Sequence, residues 1–278
     1  MPDTPPIIDE RDLARTYNTP AYEDPYAAVM DYEAVMRYAS EHPNKGSSAI
    51  SSALDIPRGR IRPWLESGSK PDAANAIDVA RDLGWLDVEY LDQEFVALNT
   101  LVANVFSGGS IARETLVPSF ALNHRQHRSH VIDALDMAGL EFNFYHEDVD
   151  SRATEVRPTV HATILGRTLA VLGAPIGPKA DLGDLTLPWY LEDAPFETRE
   201  MFVLAYLANR GTHHRTKDTI TVQEDRTESY RRELAALIED LVKEPVTVGD
   251  RMLTVSAAAA RSLGIQPRYE SERVANRD

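Results

Sequence analysis

The sequence predicts an α+β fold, a duplicated α-β-β-α-β-β-α unit preceded by an all-α domain with a helix-turn-helix layout. Three observations predict it. A nonapeptide is written twice, as Leu101-Val102-Ala103-Asn104-Val105-Phe106-Ser107-Gly108-Gly109 and as Val203-Leu204-Ala205-Tyr206-Leu207-Ala208-Asn209-Arg210-Gly211. Each copy closes an apolar helix, with Ala at its third position and Gly at its ninth. The elements that follow the two copies come in the same order, the mark of an internal repeat. Ahead of both lies a run of helices, two of them short and joined by Asp55-Ile56-Pro57.

Composition bounds what such a chain can be. Its 278 residues are enough for one large domain or two to three small ones with real cores. No apolar run is long enough for a membrane span, so no membrane partner is expected. Residues 1–25 are acidic and Pro-rich and read as a flexible N-terminal arm, with neither the basic start nor the apolar stretch of a signal peptide. The chain has no cysteine, which excludes disulfides and thiolate metal sites. Acids outnumber bases 44 to 29, and only Lys45, Lys70, Lys179, Lys217 and Lys243 are lysines. High acid with scarce Lys resembles the composition of proteins from salt-loving archaea, whose acidic surfaces hold water and cations. Against such a background, local basic exceptions carry the information.

Taken in order, residues 26–90 form the all-α domain. Val29, Tyr32, Val35, Met36 and Ala39 space a helix that Pro43-Asn44 stops. Residues 47–54 form a short helix packed through Ile50 and Leu54. A tight turn follows, with Pro57 at a first helical position, then a helix from Arg58 to Glu66. Asp72 to Leu83 make another, closed by Gly84. Residues 91–173 form the first repeat: a helix over 92–108, strands in GSIAR and ETLVPSFAL, and a helix over 126–139. Strands EFNFYHE and EVRPTVHATIL and a short helix at 166–172 complete it. Residues 174–195 are a Pro/Gly-rich linker. Residues 196–264 repeat the pattern, with a helix over 196–209, strands in THHRT and DTITVQ, and a helix over 228–242. Strands EPVTVG and RMLTVS and a helix over 256–263 follow, and residues 265–278 are a charged tail.

A duplicated unit of this order, whose first helix ends in this nonapeptide, resembles the LAGLIDADG homing endonuclease family. Leu187-Pro188-Trp189-Tyr190-Leu191 before the second copy resembles the family's approach to its second repeat. The resemblance covers about residues 92–264. It implies a DNA-binding saddle in which the two motif helices pack along a pseudo-twofold axis. Small Ala103 and Ala205 would let them approach, and Gly109 and Gly211 would leave the helices in a backbone conformation that other residues resist. It also implies a carboxylate at position eight of each motif to hold divalent metal for phosphodiester hydrolysis. Those positions are Gly108, without a side chain, and Arg210, with the wrong sign. Ser107 and Asn209 beside them are poor substitutes. The expectation is therefore a non-catalytic protein with no metal and no cofactor.

The basic exceptions follow each motif and fill the all-α domain. After the first motif come Arg113, Arg125 and Arg128 with His124, His127 and His130; after the second, Arg210, Arg215 and Lys217 with His213 and His214. Both sets are expected on DNA-facing strands, which predicts contact by Arg113, Arg125, His127, Arg128, Arg210, His213, Arg215 and Lys217. His124, His127 and His130 share one helix face, but no carboxylate or Cys at suitable spacing completes a zinc set. His213 and His214 point opposite ways on a strand. In the all-α domain, Arg58 and Arg62 lie one turn apart and are expected to face a major groove, with Arg60 and Lys70 adding charge and Ile61 and Trp64-Leu65 in the core. Lys45, Ser47 and Ser48 are expected on backbone phosphates.

A helix-turn-helix joined to an inactive LAGLIDADG pair is similar in kind to the WhiA family of bacterial regulators, in reversed order. The sequence expectation is a sequence-specific double-stranded DNA-binding regulator, cytoplasmic and nucleoid-associated. It would work as a monomer through its internal pseudo-twofold, with other transcription proteins as further partners. Two rivals stand beside it: an endonuclease using Asp148, Asp150 or Asp218, and a protein-interaction module.

Overall fold

Capped helices build the first of two units, Met1–Val88 and Glu89–Asp278, into which the chain divides. The computed structural model describes residues 6–122, 129–147, 149, 153–179, 183, 185–214 and 217–265. The first unit holds helices α1 (Glu10–Arg15), α2 (Pro25–Glu41), α3 (Ser47–Leu54), α4 (Arg58–Glu66) and α5 (Asp72–Asp82). Asp9 and Asp24 cap α1 and α2, each accepting from the backbone N–H two residues on, and Pro25 occupies the first turn of α2. Between α3 and α4, Asp55 turns the chain at φ 54°, a conformation Asp tolerates better than most residues. That turn seats Ile56 beside Val35, Ile50, Ile61 and Trp64 in one buried cluster. The Tyr32 ring meets Trp64 edge-on at 5.6 Å.

The expected N-terminal arm is corrected over much of its length. Ile8, Leu13 and Ala14 are buried, and α1 packs on α2 and α5. Glu10 accepts from Arg81 (2.8 Å) and from the Tyr26 hydroxyl. The Pro-rich composition masked Ile8, just before the N-cap Asp9, and Leu13 and Ala14 in the helix behind it.

The second unit runs α6 (Gln93–Ser107), β1 (Ser110–Ile111), β2 (Pro118–Ala121), α7 (His130–Met137), β3 (Phe142–Tyr145), β4 (Glu155–Pro158) and α8 (Ala162–Val171). After a 3-10 turn at Trp189–Leu191 come α9 (Phe196–Arg210), β5 (Gly211–His213), β6 (Ile220–Gln223), α10 (Glu228–Val242), β7 (Val246–Val248), β8 (Met252–Val255) and α11 (Ala257–Ser262). The order is the same in both halves. So is the sheet topology: two antiparallel four-stranded sheets, β1-β2-β4-β3 and β5-β6-β8-β7. Fold class is mixed, with helices and antiparallel sheets segregated. Among the described residues, no helix is long and apolar enough to cross a membrane.

Helices α6 and α9 pack against each other at the centre of this unit. Eleven of the 15 residues of α6 are buried, the pattern of a central helix rather than a surface one. Phe106 meets Phe202 edge-on across the pair, and Asn99 Nδ2 donates to the Thr198 carbonyl at 2.9 Å. Ala103 and Ala205 are both buried.

Three local expectations change. Gly109 and Gly211 do not take a left-handed conformation; Gly211 sits at φ −72° and ψ 126°. Glycine is needed there for space. A Cβ on Gly109 would lie 2.7 Å from the Ser119 carbonyl oxygen, and one on Gly211 2.5 Å from that of Leu207. Second, the strand expected over EVRPTVHATIL stops at Pro158, and His161 at φ 57° starts α8 four residues early. Its β-branched Thr159, Val160, Thr163 and Ile164 imitate a strand. Third, the connection between repeats is built into the fold. Ile176 forms a parallel bridge with Ile111, Gly177 N donates to the Ile111 carbonyl at 2.8 Å, and Ala174, Leu185, Tyr190 and Leu191 are buried.

Candidate nucleic-acid interface

The C-terminal ends of α6 and α9 bring the two nonapeptides together at their seventh positions. Asn209 Nδ2 donates to Ser107 Oγ at 2.9 Å and to the Asn104 side-chain oxygen. Asn104 Nδ2 donates to His130 Nε2 at 3.0 Å, which joins α7 to the seam. All three seam residues, Asn104, Ser107 and Asn209, are buried. Burial holds His130 below the ordinary histidine range, with Asp133 opposing, so the ring is the neutral acceptor this bond requires. His130 is thus a seam residue; His124, His127, Arg125 and Arg128, expected with it, lie outside the described residues.

Beside this neutral seam is a cluster of charge that the sequence reading missed. Glu224, just past β6, is fully buried. It accepts from Tyr206 Oη at 2.5 Å and pairs with Arg226 at 3.2 Å and Arg210 at 3.7 Å. Burial, with Glu224 adding, pushes the Tyr206 phenol up to about 12. Arg226 also donates to the Phe106 carbonyl, and Lys179 Nζ donates to those of Val105 (2.6 Å), Gly109 (2.7 Å) and Phe106 (3.4 Å). Cations thus satisfy the last carbonyls of α6, where the helix dipole favours positive charge. Burial pushes the Lys179 ammonium down to about 7; Arg226 and Arg210 add to the shift and Glu224 opposes it. Lys179 lies in the presumed linker and Arg226 in a mixed-charge run, so neither carried a sequence signal.

These residues do not fit the divalent metal that the family resemblance implies. Gly108 brings no donor, and Arg210, Arg226 and Lys179 would repel a cation. The one carboxylate, Glu224, is already taken. Among the described residues, no three His, Cys, Asp or Glu side chains gather where they could hold a metal ion. Of the rival carboxylates, Asp218 is ion-paired with Arg261 at 3.8 Å; Asp148 and Asp150 lie outside the described residues.

The outward faces of the two sheets are polar and unlike each other. Register sets Thr212, Thr221, Thr254 and Thr247 side by side across the second sheet, with Gln223 and exposed Met252 alongside. On the first sheet, Ser119 Oγ donates to Glu155 at 2.7 Å, Arg157 donates to Glu155 at 2.7 Å, and the Arg157 guanidinium covers the Tyr145 ring. The basic residues expected on strands are placed differently. Arg113 is exposed in the β1–β2 turn, its guanidinium against Gly177, and Lys217 is exposed in the β5–β6 turn. These are equivalent turns of the two repeats. His213 pairs in register with buried Ile220, so it points toward the helices and not outward. Arg215 lies outside the described residues.

In the first unit, Lys45, Ser48, Arg58 and Arg62 are exposed. Ser47 is not: it is buried, donating to Glu66 (3.2 Å) and accepting from Arg58 Nε (3.2 Å), which corrects its expected phosphate contact. Arg62 pairs with Glu66 at 2.7 Å. Glu66 thus ties Ser47 and Arg62 together and holds the two expected groove-facing arginines on one side of α4. Arg60 and Lys70 are engaged within the unit. Arg60 stacks over Tyr22 at 4.2 Å and pairs with Asp31 at 3.6 Å. Lys70 pairs with Asp78 and faces the Tyr32 ring.

No protein-family model matches the chain, and no curated protein does. Among solved structures, it is similar to the crystal structure described as the N-terminal LAGLIDADG domain of DUF199/WhiA. The two share 10% identity and a TM-score of 0.44, over 70% of this chain and 95% of that one.

Proposed function

We propose that the chain is a non-catalytic, sequence-specific reader of double-stranded DNA, a transcriptional regulator descended from a homing endonuclease. The observation that carries the reading is the paired end of α6 and α9: the repeat architecture is kept, while Gly108 supplies no side chain and Arg210, with Arg226 and Lys179 beside it, puts cations where nuclease chemistry needs carboxylates. The two polar sheet faces supply the groove-reading surface of a saddle, and Arg113 and Lys217 in equivalent turns supply phosphate contacts. Arg58 and Arg62 of α4 form a second, major-groove contact, with Lys45 and Ser48 on the backbone. An acid-rich, Lys-poor surface suits concentrated salt, where counterion release adds little affinity and base contacts and DNA shape dominate.

Genome-wide chromatin precipitation tests this. Discrete enriched sites are expected, lost in the Arg58→Ala/Arg62→Ala double variant and weakened without change of site in Arg113→Ala. Purified protein with Mg²⁺ should leave plasmid DNA uncut. If no duplex is enriched, the regulator reading gives way to a protein-binding module.

A further inference from the structure

The charges at the base of the α6–α9 pair do not balance. Lys179, Arg210 and Arg226 face one carboxylate, Glu224, inside a chain of net charge −15. Capping the end of α6 explains part of this, since Lys179 and Arg226 satisfy its last carbonyls. It does not explain Arg210. That side chain reaches Glu224 only at 3.7 Å, its Nε is buried without a hydrogen-bond partner, and the side chain is 37% exposed. A guanidinium with a free buried donor and an open edge, next to two more cations, is a half-built anion cradle.

We propose that Arg210, Lys179 and Arg226 form a binding site for one phosphate group, and that its occupant is a phosphodiester of the duplex backbone. The choice of occupant rests on the reading in the preceding section. Arg210 supplies the partly exposed arm and Lys179 the point charge. Arg226, fixed by Glu224, Tyr206 and the Phe106 carbonyl, supplies the floor. An anion seated there would oppose the repulsion among the cations, so binding takes up a proton on Lys179 near neutral pH. Among the described residues, the groups facing Lys179 are the Val105, Phe106 and Gly109 carbonyls, Arg210 from α9, and Glu224 and Arg226 from the β6–α10 connection. Tyr206 and Tyr230 lie behind those last two.

The test compares inorganic phosphate with chloride at matched ionic strength and pH 7, reading the melting temperature of the full chain. Phosphate should raise it by about 3 °C or more. Arg210→Met should abolish that rise, while Lys179→Arg, which keeps the charge and the α6 cap, should preserve it. An equal rise in Arg210→Met, or none in the wild type, overturns the site. A mixed-sequence duplex supplies the second arm. Wild-type affinity should exceed that of Arg210→Met by about tenfold, about the worth of one charge-assisted contact, and should fall from pH 6.5 to 8.5 in wild type but not in Lys179→Arg. Duplex binding that ignores both substitutions overturns this proposal and leaves the DNA reading intact. Phosphate binding without duplex binding keeps the site and overturns a DNA backbone as its occupant; the sequence-specific reading falls only if chromatin precipitation enriches no site.

Discussion

Adjacent glycines at the end of α6 should respond in opposite ways to one added methyl. On Gly108, a Cβ would meet Asn209 Nδ2 at 3.6 Å and the Ala121 Cβ at 3.8 Å, ordinary contact distances, and φ is −137°. Gly108→Ala should therefore hold stability or raise it by up to about 1 kcal/mol, through a less flexible unfolded chain. On Gly109, a Cβ would sit 2.7 Å from the Ser119 carbonyl oxygen and 3.2 Å from both the Asn104 carbonyl oxygen and Phe120 Cδ1. None of these can yield cheaply. Ser119 is in register with Ser110, and the Asn104 carbonyl already accepts from Gly108 N at 2.9 Å and Gly109 N at 2.7 Å. Overpacking against fixed backbone costs about 1–3 kcal/mol, so Gly109→Ala should melt roughly 2–12 °C lower for a unit of this size. Thermal melts of both variants followed by circular dichroism decide it. If the two melt together, the spatial account of the motif's last glycine is wrong.

Three more outcomes follow from the buried polar groups. Glu224→Leu removes the partner of Arg226 and strands a buried guanidinium, so urea unfolding should show a loss of about 3 kcal/mol or more. Lys179 titrates near 7 when folded, against 10.5 unfolded. The unfolded chain therefore binds more protons between those values, and in phosphate-free buffer stability should rise from pH 7 toward pH 10, by at most about 1.4 kcal/mol per pH unit. That slope should flatten in Lys179→Met. His130 has its folded pKa below the unfolded 6.5, so stability should fall as pH drops below 6.5; pH-dependent melts of His130→Gln should lack that loss.

Elements with strong periodicity or clear caps were legible from sequence. The α3–α4 pair and α10 could be placed because Ile50, Ile61, Trp64 and the spacing after Thr227 have one helical reading. Repetition made the two halves recognisable even though their eighth positions, Gly108 and Arg210, differ. What stayed hidden depends on contacts far apart in the chain. Lys179 reaches Val105, 74 residues earlier, and Arg226 reaches Phe106, 120 residues earlier. Ser47 looked available until Glu66 and Arg58 closed over it. The row Thr212, Thr221, Thr254 and Thr247 exists only once register is fixed, because strand alternation says which residues share a face and not which sit side by side. Of the basic residues expected on strands, Arg113 and Lys217 lie in turns instead, because the flanking strands are only two to four residues long and the turns take up the charge.

A duplicated gene product can be cut back to its halves only while each half stays self-sufficient. Here each half takes contacts from outside itself. The segment after the first repeat lends Ile176 to the edge of β1 and Lys179 to the bare carbonyls of α6, while Arg226 of the second repeat reaches back to Phe106. Severed at residue 173, the first half would lose the stopper of its own central helix.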